Sequence, residues 1–170
     1  AQEQEILSFN ETISLKNIYF EYPKSSKTAL KNISINIDAK TIVGLVGPTG
    51  SGKTTTVDII LGLLEAQKGT LEVDGKVISE QNSRNWQRCI GYVPQQIFLA
   101  DDTVAANIAF GLEPNNINLQ DVERASKIAN LHEFVLNELP KKYQTTIGER
   151  GVRLSGGQRQ RIGIARALYH

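Results

Sequence analysis

Residues 47–54 read Gly-Pro-Thr-Gly-Ser-Gly-Lys-Thr, the spacing G-x-x-x-x-G-K-[ST]. An apolar, β-branched run at 41–46 precedes them, and a helix is predicted over 53–64. Gly47, Gly50 and Gly52, with Pro48, Thr49 and Ser51 between them, let the backbone close around an anion with N–H groups turned inward. The start of the following helix adds partial positive charge. In such a loop Lys53 reaches the β and γ phosphates, Thr54 offers a hydroxyl to Mg²⁺, and Thr55 adds a phosphate contact. The plain alternative is a glycine-rich turn that matches by chance, but strand, loop and helix in this order argue against it. The motif implies a nucleoside triphosphate. It leaves open which one, and what its energy drives.

The rest of the chain supplies mixed strands and then helices. Ile13, Leu15, Ile18 and Phe20 are spaced as a strand with one irregularity. Tyr22-Pro23-Lys-Ser-Ser-Lys reads as a turn. Ile33, Ile35 and Ile37 alternate as a half-buried strand, and residues 38–40 turn the chain. The run at 41–46 is expected as a strand buried on both faces, and 90–93 as another ended by Pro94. Strands at 70–73 and 76–78 flank the Asp74-Gly75 turn and predict a hairpin. Helices are predicted over 83–88, 104–110, 119–129, 131–139 and 156–168, with 148–151 as a loop.

A second device lies far along the chain, in Leu154-Ser155-Gly156-Gly157-Gln158-Arg159-Gln160-Arg161. Ser155 before two glycines at a helix start again offers a hydroxyl, open N–H groups and a helix dipole to an anion. An ordinary capped helix is the simpler reading of this stretch alone. If the two devices lie at opposite ends of the fold, a head-to-tail dimer lets one nucleotide use both, held by one copy's Lys53 loop and the other's Ser155 helix.

The pair of motifs resembles the nucleotide-binding domain of the ATP-binding cassette (ABC) transporter family, over nearly the whole chain from Ile13 onward. The resemblance implies an α/β fold. Its parts are a P-loop NTPase core with an antiparallel β-subdomain and a helical subdomain, incomplete at the C-terminal end. Residues 1–12 would be a linker or tail, 13–94 the ATP-binding core with its β-subdomain, and 95–170 the glutamine loop, helical subdomain and signature helix. Ser155, Gly156, Gly157 and Gln158 resemble the signature that contacts the partner's ATP. Tyr22 resembles the aromatic that stacks on adenine, and Ala29 stands where the family often has a bulkier apolar residue. Gln95 resembles the glutamine that binds Mg²⁺ or the attacking water, with Gln96 a competing candidate. Lys53 and Gln95 are thus the implied catalytic residues, and Thr54 and Gln95 the implied metal ligands. Residues 146–151 resemble a loop that in exporters touches the transmembrane coupling helices, 98–111 also resemble exporters, and the two favour an exporter. The implied partners are a second nucleotide-binding domain, in a homodimer or heterodimer, and an N-terminal transmembrane domain in the same polypeptide. Together they imply ATP-driven export, with this domain on the cytoplasmic face of a bacterial inner membrane. The cargo is unreadable here, with a lean toward a lipid or lipid-linked saccharide.

Charge and length narrow the rivals. The 170 residues carry 19 basic and 18 acidic side chains, a net charge of +1, which does not suit electrostatic capture of nucleic acid. A DNA-repair or chromosome-structure ATPase also pairs such motifs, but usually separates them by long coiled coils, and no heptad tract lies between Lys53 and Ser155. A non-catalytic ATP-binding fragment is the third reading. The single Cys89 excludes an internal disulfide and any Cys-rich zinc site, and is expected buried or half-buried. Trp86 is expected to pack on a short helix, and His132 to be a surface or partly packed residue. Arg150, Arg153, Arg159, Arg161 and Arg166 are expected on a solvated or dimer-facing surface. The chain has no Met and stops within a predicted helix, before the Asp-Glu strand and later histidine that the family resemblance requires. The expectation is therefore a piece of a longer protein, binding nucleotide weakly and hydrolysing it poorly by itself.

Overall fold

The irregular spacing of Ile13, Leu15, Ile18 and Phe20 is a bulge in a long first strand. The computed structural model describes residues 9–23 and 27–170, and residues 1–8 and 24–26, in the predicted tail and turn, lie outside them. β1 (Thr12–Glu21) and β2 (Thr28–Asp38) pair antiparallel, with Leu15 opposite Ile35, Ile18 opposite Ile33 and Phe20 opposite Leu30. The register shifts between Leu15 and Ile18, around Asn17 at φ 51°. An asparagine tolerates that left-handed turn, and the extra residue returns the later apolar side chains to the core face.

β3 (Lys68–Val73) joins the other edge of β1, and β4 (Lys76–Ile78) completes an antiparallel sheet of order β2-β1-β3-β4. Asp74 and Gly75, at φ 48° and 77°, supply the two positive angles that a tight hairpin turn requires. The Asp74 carboxylate also accepts the N–H groups of Asn10, Glu11 and Thr12 at 2.6, 2.8 and 2.8 Å, anchoring the start of β1. α1 (Lys53–Ile60) and the short α2 (Ser83–Gln87) contribute Ile59 and Trp86 to a core with Leu15, Ile18, Phe20, Leu30, Leu71 and Val73. Trp86 packs there as expected, and its indole N–H donates to Ile60 O at 2.7 Å.

The chain divides into two compact units between Ile90 and Gly91. The second unit opens with β5 (Asp102–Thr103), paired antiparallel with β6 (Thr146–Ile147). Around this ribbon stand α3 (Val104–Ile108), α4 (Leu119–Ile128), α5 (His132–Glu138) and α6 (Gly156–Tyr169). Thr103 caps α3 through the N–H of Ala106, and Asn118 caps α4 through those of Gln120 and Asp121. Val104, Ile108, Val122, Leu131, Val135, Ile147 and Ile162 are fully or almost fully buried at the centre.

Four expectations change. Residues 41–46 and 90–93 are not strands, and Ile42 and Val46 are 102% and 93% exposed. A strand exists only where a neighbouring backbone takes its hydrogen bonds, and no described residue pairs with either run. The helix predicted over 53–64 ends at Ile60, because Gly62 at φ 67° turns left-handed and its N–H bonds Ile59 O. Cys89 is exposed, its Sγ 3.4 Å from Asn85 O.

The Asn10 N–H, followed by those of Thr12 and Glu11, pulls the Asp74 carboxyl below its ordinary value against the opposing push of burial. A carboxylate whose pKa falls on folding stabilises above its unfolded value, and that contribution fades as pH drops through the folded one. Asp74→Ala is therefore expected to lower the thermal midpoint at pH 7 and to flatten its decline below about pH 4. Parallel acid limbs in the two proteins would contradict this role.

Candidate functional site

The N-terminus of α1 has no side-chain cap. Its N-cap residue is Gly52, left-handed at φ 88°. The first-turn N–H groups of a helix lack partners within it, so an uncapped start leaves them for something outside the helix. Gly50 is also left-handed at φ 79°, and Ser51 N–H closes the turn onto Pro48 O at 3.2 Å. A Cβ at Gly52 would stand 2.6 Å from Leu30 Cδ2 and 2.8 Å from the Ala29 carbonyl. The position therefore excludes side chains on two counts, angle and space. The buried Thr56 hydroxyl locks the turn from below by donating to Gly52 O at 2.9 Å.

The Lys53 ammonium donates to Gly47 O at 2.7 Å and Pro48 O at 2.8 Å, with Ser51 Oγ at 3.4 Å. Its charge thus sits on the same loop whose helix end is bare. A cavity of about 340 Å³ opens here, lined by Gly50, Gly52, Lys53, Thr54, Thr55, Lys27, Thr28, Ala29 and Tyr22. Thr54 is exposed and Thr55 buried. Thr55 Oγ1 lies 3.0 Å from the Tyr22 hydroxyl, and the Phe20 ring meets Tyr22 edge to face at 5.0 Å. Two contacts therefore fix the Tyr22 ring, which remains 41% exposed beside the loop. The donor set suits a phosphate chain with Mg²⁺: bare N–H groups, the Lys53 ammonium, an exposed hydroxyl, and a flat ring at the rim. Among the described residues no cluster of His, Cys, Asp and Glu could hold a metal by itself.

Ser155 begins α6 differently. Its Oγ accepts Gln158 N–H at 3.2 Å while Gln158 Oε1 accepts Ser155 N–H at 2.8 Å, a reciprocal capping box. The expected cap is present, and Gln158 is part of it. Gly156 and Gly157 are exposed, and a Cβ at either would meet no atom of the described residues within 4 Å. Gln95 and Gln96 are exposed in the second unit, and Gln95 O accepts Gln160 Nε2 at 3.1 Å. Gln95, Gln96, Gly156 and Gln160 line one cavity of about 320 Å³.

Sequence reasoning misplaced Arg166 and gave Asn107 no structural role. Arg166 is not part of a solvated surface: it is half-buried, donates to Asn107 O and Phe98 O at 2.9 Å each, and lies over the Phe110 ring. Burial holds its guanidinium below the usual value. Asn107 is fully buried, and its amide binds Ala100 and Thr103. A polar residue inside the otherwise apolar 104–110 pattern was the available signal. His132, partly buried, sits 2.8 Å from the Tyr143 hydroxyl, a packing role.

The family model described as "ABC transporter" matches residues 30–170. The chain belongs to the ABC transporter family. This ABC transporter chain is 45% identical over 157 residues to the ATP-dependent lipid A-core flippase of Saccharophagus degradans, covering 92% of the chain and 26% of that protein. It is 40% identical over 156 residues to the uncharacterized ABC transporter ATP-binding protein YfiB of Bacillus subtilis, covering 92% and 27%. A solved bacterial Atm1-family ABC exporter with ATP bound matches 99% of the chain and 29% of its own length, with TM-score 0.85 and 32% identity. The ABC transporter chain therefore spans about a quarter of these relatives. No helix among the described residues is long and apolar enough to cross a membrane.

Gly52→Val is expected to destabilise the first unit by about 1–3 kcal/mol and to abolish ATP binding, since both backbone angle and space are violated. Ser155→Ala removes half a capping box and should cost about 1 kcal/mol while leaving the Lys53 loop intact. Chemical denaturation with parallel nucleotide titration checks both. Undiminished ATP binding by the Gly52 variant would contradict the loop's geometry.

Proposed function

We propose that the chain is the ATP-binding part of an ABC exporter, coupling ATP binding and hydrolysis in a head-to-tail dimer to export across a membrane. The observation that carries this reading is the bare N-terminus of α1 with the Lys53 ammonium on the same loop. Lys53 serves the β and γ phosphates, with Gly47, Pro48, Thr49, Gly50, Ser51 and Gly52 as their cradle. Thr54 serves Mg²⁺, Thr55 supports both the phosphates and Tyr22, and the Tyr22 ring takes adenine. Gln95 serves Mg²⁺ or the attacking water. Phosphoryl transfer is driven by such positioning and charge placement rather than by covalent chemistry of the protein. In this reading the stretch by itself turns ATP over slowly.

Ser155, Gly156, Gly157 and Gln158 serve the nucleotide of a second copy or a related domain. The support is spatial: the two glycines leave room that none of the described residues occupies. Closure of two such domains over two Mg-ATP drives a transmembrane domain that precedes this stretch in the same polypeptide. The relatives are about four times as long as the matched stretch, which leaves length for such a domain. The assembly works at the cytoplasmic face of a bacterial inner membrane. A lipid or lipid-linked saccharide is the cargo class, supported by several relatives named lipid A-core flippases.

Lys53→Ala is expected to abolish ATP binding, and to abolish transport in the full-length polypeptide. Tyr22→Ala should weaken ATP binding about tenfold and leave tripolyphosphate binding unchanged. Isothermal titration separates the two. Equal losses for ATP and tripolyphosphate would remove the stacking role, and unchanged transport by the Lys53 variant would overturn the reading.

A further inference from the structure

Residues 95–101 form neither helix nor strand, yet their backbone is fastened at short intervals. Gln160 Nε2 donates to Gln95 O at 3.1 Å, and Arg166 Nη2 to Phe98 O at 2.9 Å. Asn107 Oδ1 accepts Ala100 N–H at 2.9 Å, while its Nδ2 donates to Ala100 O and Thr103 O at 3.0 Å each. Asp101 Oδ1 accepts Arg150 N–H at 2.9 Å. Arg166 Nε closes the system by donating to Asn107 O at 2.9 Å. One side chain of α6 therefore holds both the segment and the residue that holds the segment.

The path of the segment follows from two glycines. A Cβ at Gly91 would stand 2.7 Å from Ala167 O, and a Cβ at Gly163 would stand 2.3 Å from Ile97 Cδ1. Residues 91–95 thus run along α6 from Ala167 to Gln160, and 97–98 return beside Gly163 and Arg166. Gln160, Gly163 and Arg166 are spaced by three and share a helix face. Gln95 lies near the turn of this path, toward the helix end that begins at Ser155.

Arg166 meets two carbonyls and the face of Phe110, with 4.6 Å between guanidinium carbon and ring centroid. Bridging two carbonyls while standing over a ring suits a planar fork of donors. An ammonium at the same place carries the charge but not that geometry.

We propose that Arg166 is a positioning residue for Gln95: by fixing the Phe98 and Asn107 carbonyls it fastens the Gln95 turn to the signature helix, so that the two travel as one body. The proposal rests on the role given to Gln95 above. Displacement of the Ser155 end of α6 then carries the Gln95 amide with it. Engagement of the partner's nucleotide and placement of Gln95 become a single event rather than two.

A double-mutant cycle on ATP turnover in the full-length polypeptide tests this, with Gln95→Ala, Arg166→Lys and the pair. Arg166→Lys is expected to lower kcat about fivefold, with KM for ATP changed less than about twofold because the Lys53 loop is untouched. It should also raise the Mg²⁺ concentration needed for half-maximal rate. In the Gln95→Ala background it should cost nothing further, since it acts through Gln95. Additive losses would overturn the proposal alone. Turnover unchanged by Gln95→Ala would overturn the role of Gln95 and the proposal with it. Should Arg166→Lys fail to fold, the exposed Gln160→Ala removes the bond to Gln95 O and completes the same cycle. Non-additivity with Gln95→Ala then supports the fastening, and additivity overturns it.

Discussion

Gly52 carries the constraint on which the phosphate-loop geometry depends. It must turn left-handed to start α1, and it must lack a side chain because Leu30 and the Ala29 carbonyl stand where one would go. Those neighbours belong to β2, so the sheet and the loop define each other. The register of β1 on β2 shifts at Asn17 and again between Ile18 and Phe20, which brings Phe20 opposite Leu30; Leu30 walls the loop, and Phe20 supports the Tyr22 ring. The site thus inherits its shape from the strand register, and a slip of one residue would turn the supporting side chains to the opposite face.

The two helix starts divide the work differently. α1 has no side-chain cap and offers its first N–H groups together with an ammonium. α6 is closed by a capping box, and its glycines leave open space instead. A helix that must hold a multiply charged chain benefits from bare donors and a nearby cation. A helix that must only approach such a chain benefits from stability and a slim profile. This difference fits two halves of one nucleotide site supplied by different copies.

Much of this was legible in the residues. The Gly-rich motif, the Asp74-Gly75 hairpin, the Ser155 cap and the Trp86 packing all rest on local rules, and local rules survive in the structure. Gly62 carried a readable stop signal for α1 that the apolar continuation to Leu64 obscured. The failures at 41–46 and 90–93 are of another kind. Apolar β-branched runs state a preference, but a strand is a relation between two backbones, and the preference alone does not make one. Arg166 was misread for a similar reason. A charge counted along a helix looks solvated, and only the fold shows two carbonyls and a ring waiting for it.

Complementation between two defective copies bears most directly on the shared-site account. One full-length copy carries Lys53→Ala, the other Gly157→Asp, and each homodimer then lacks every complete site. If a nucleotide is held by one copy's Lys53 loop and the other's Ser155 helix, a mixed dimer keeps one intact site. Mixing is then expected to restore ATP turnover above the sum of the two parents. Turnover that never rises above that sum, although mixed dimers form, would contradict the account.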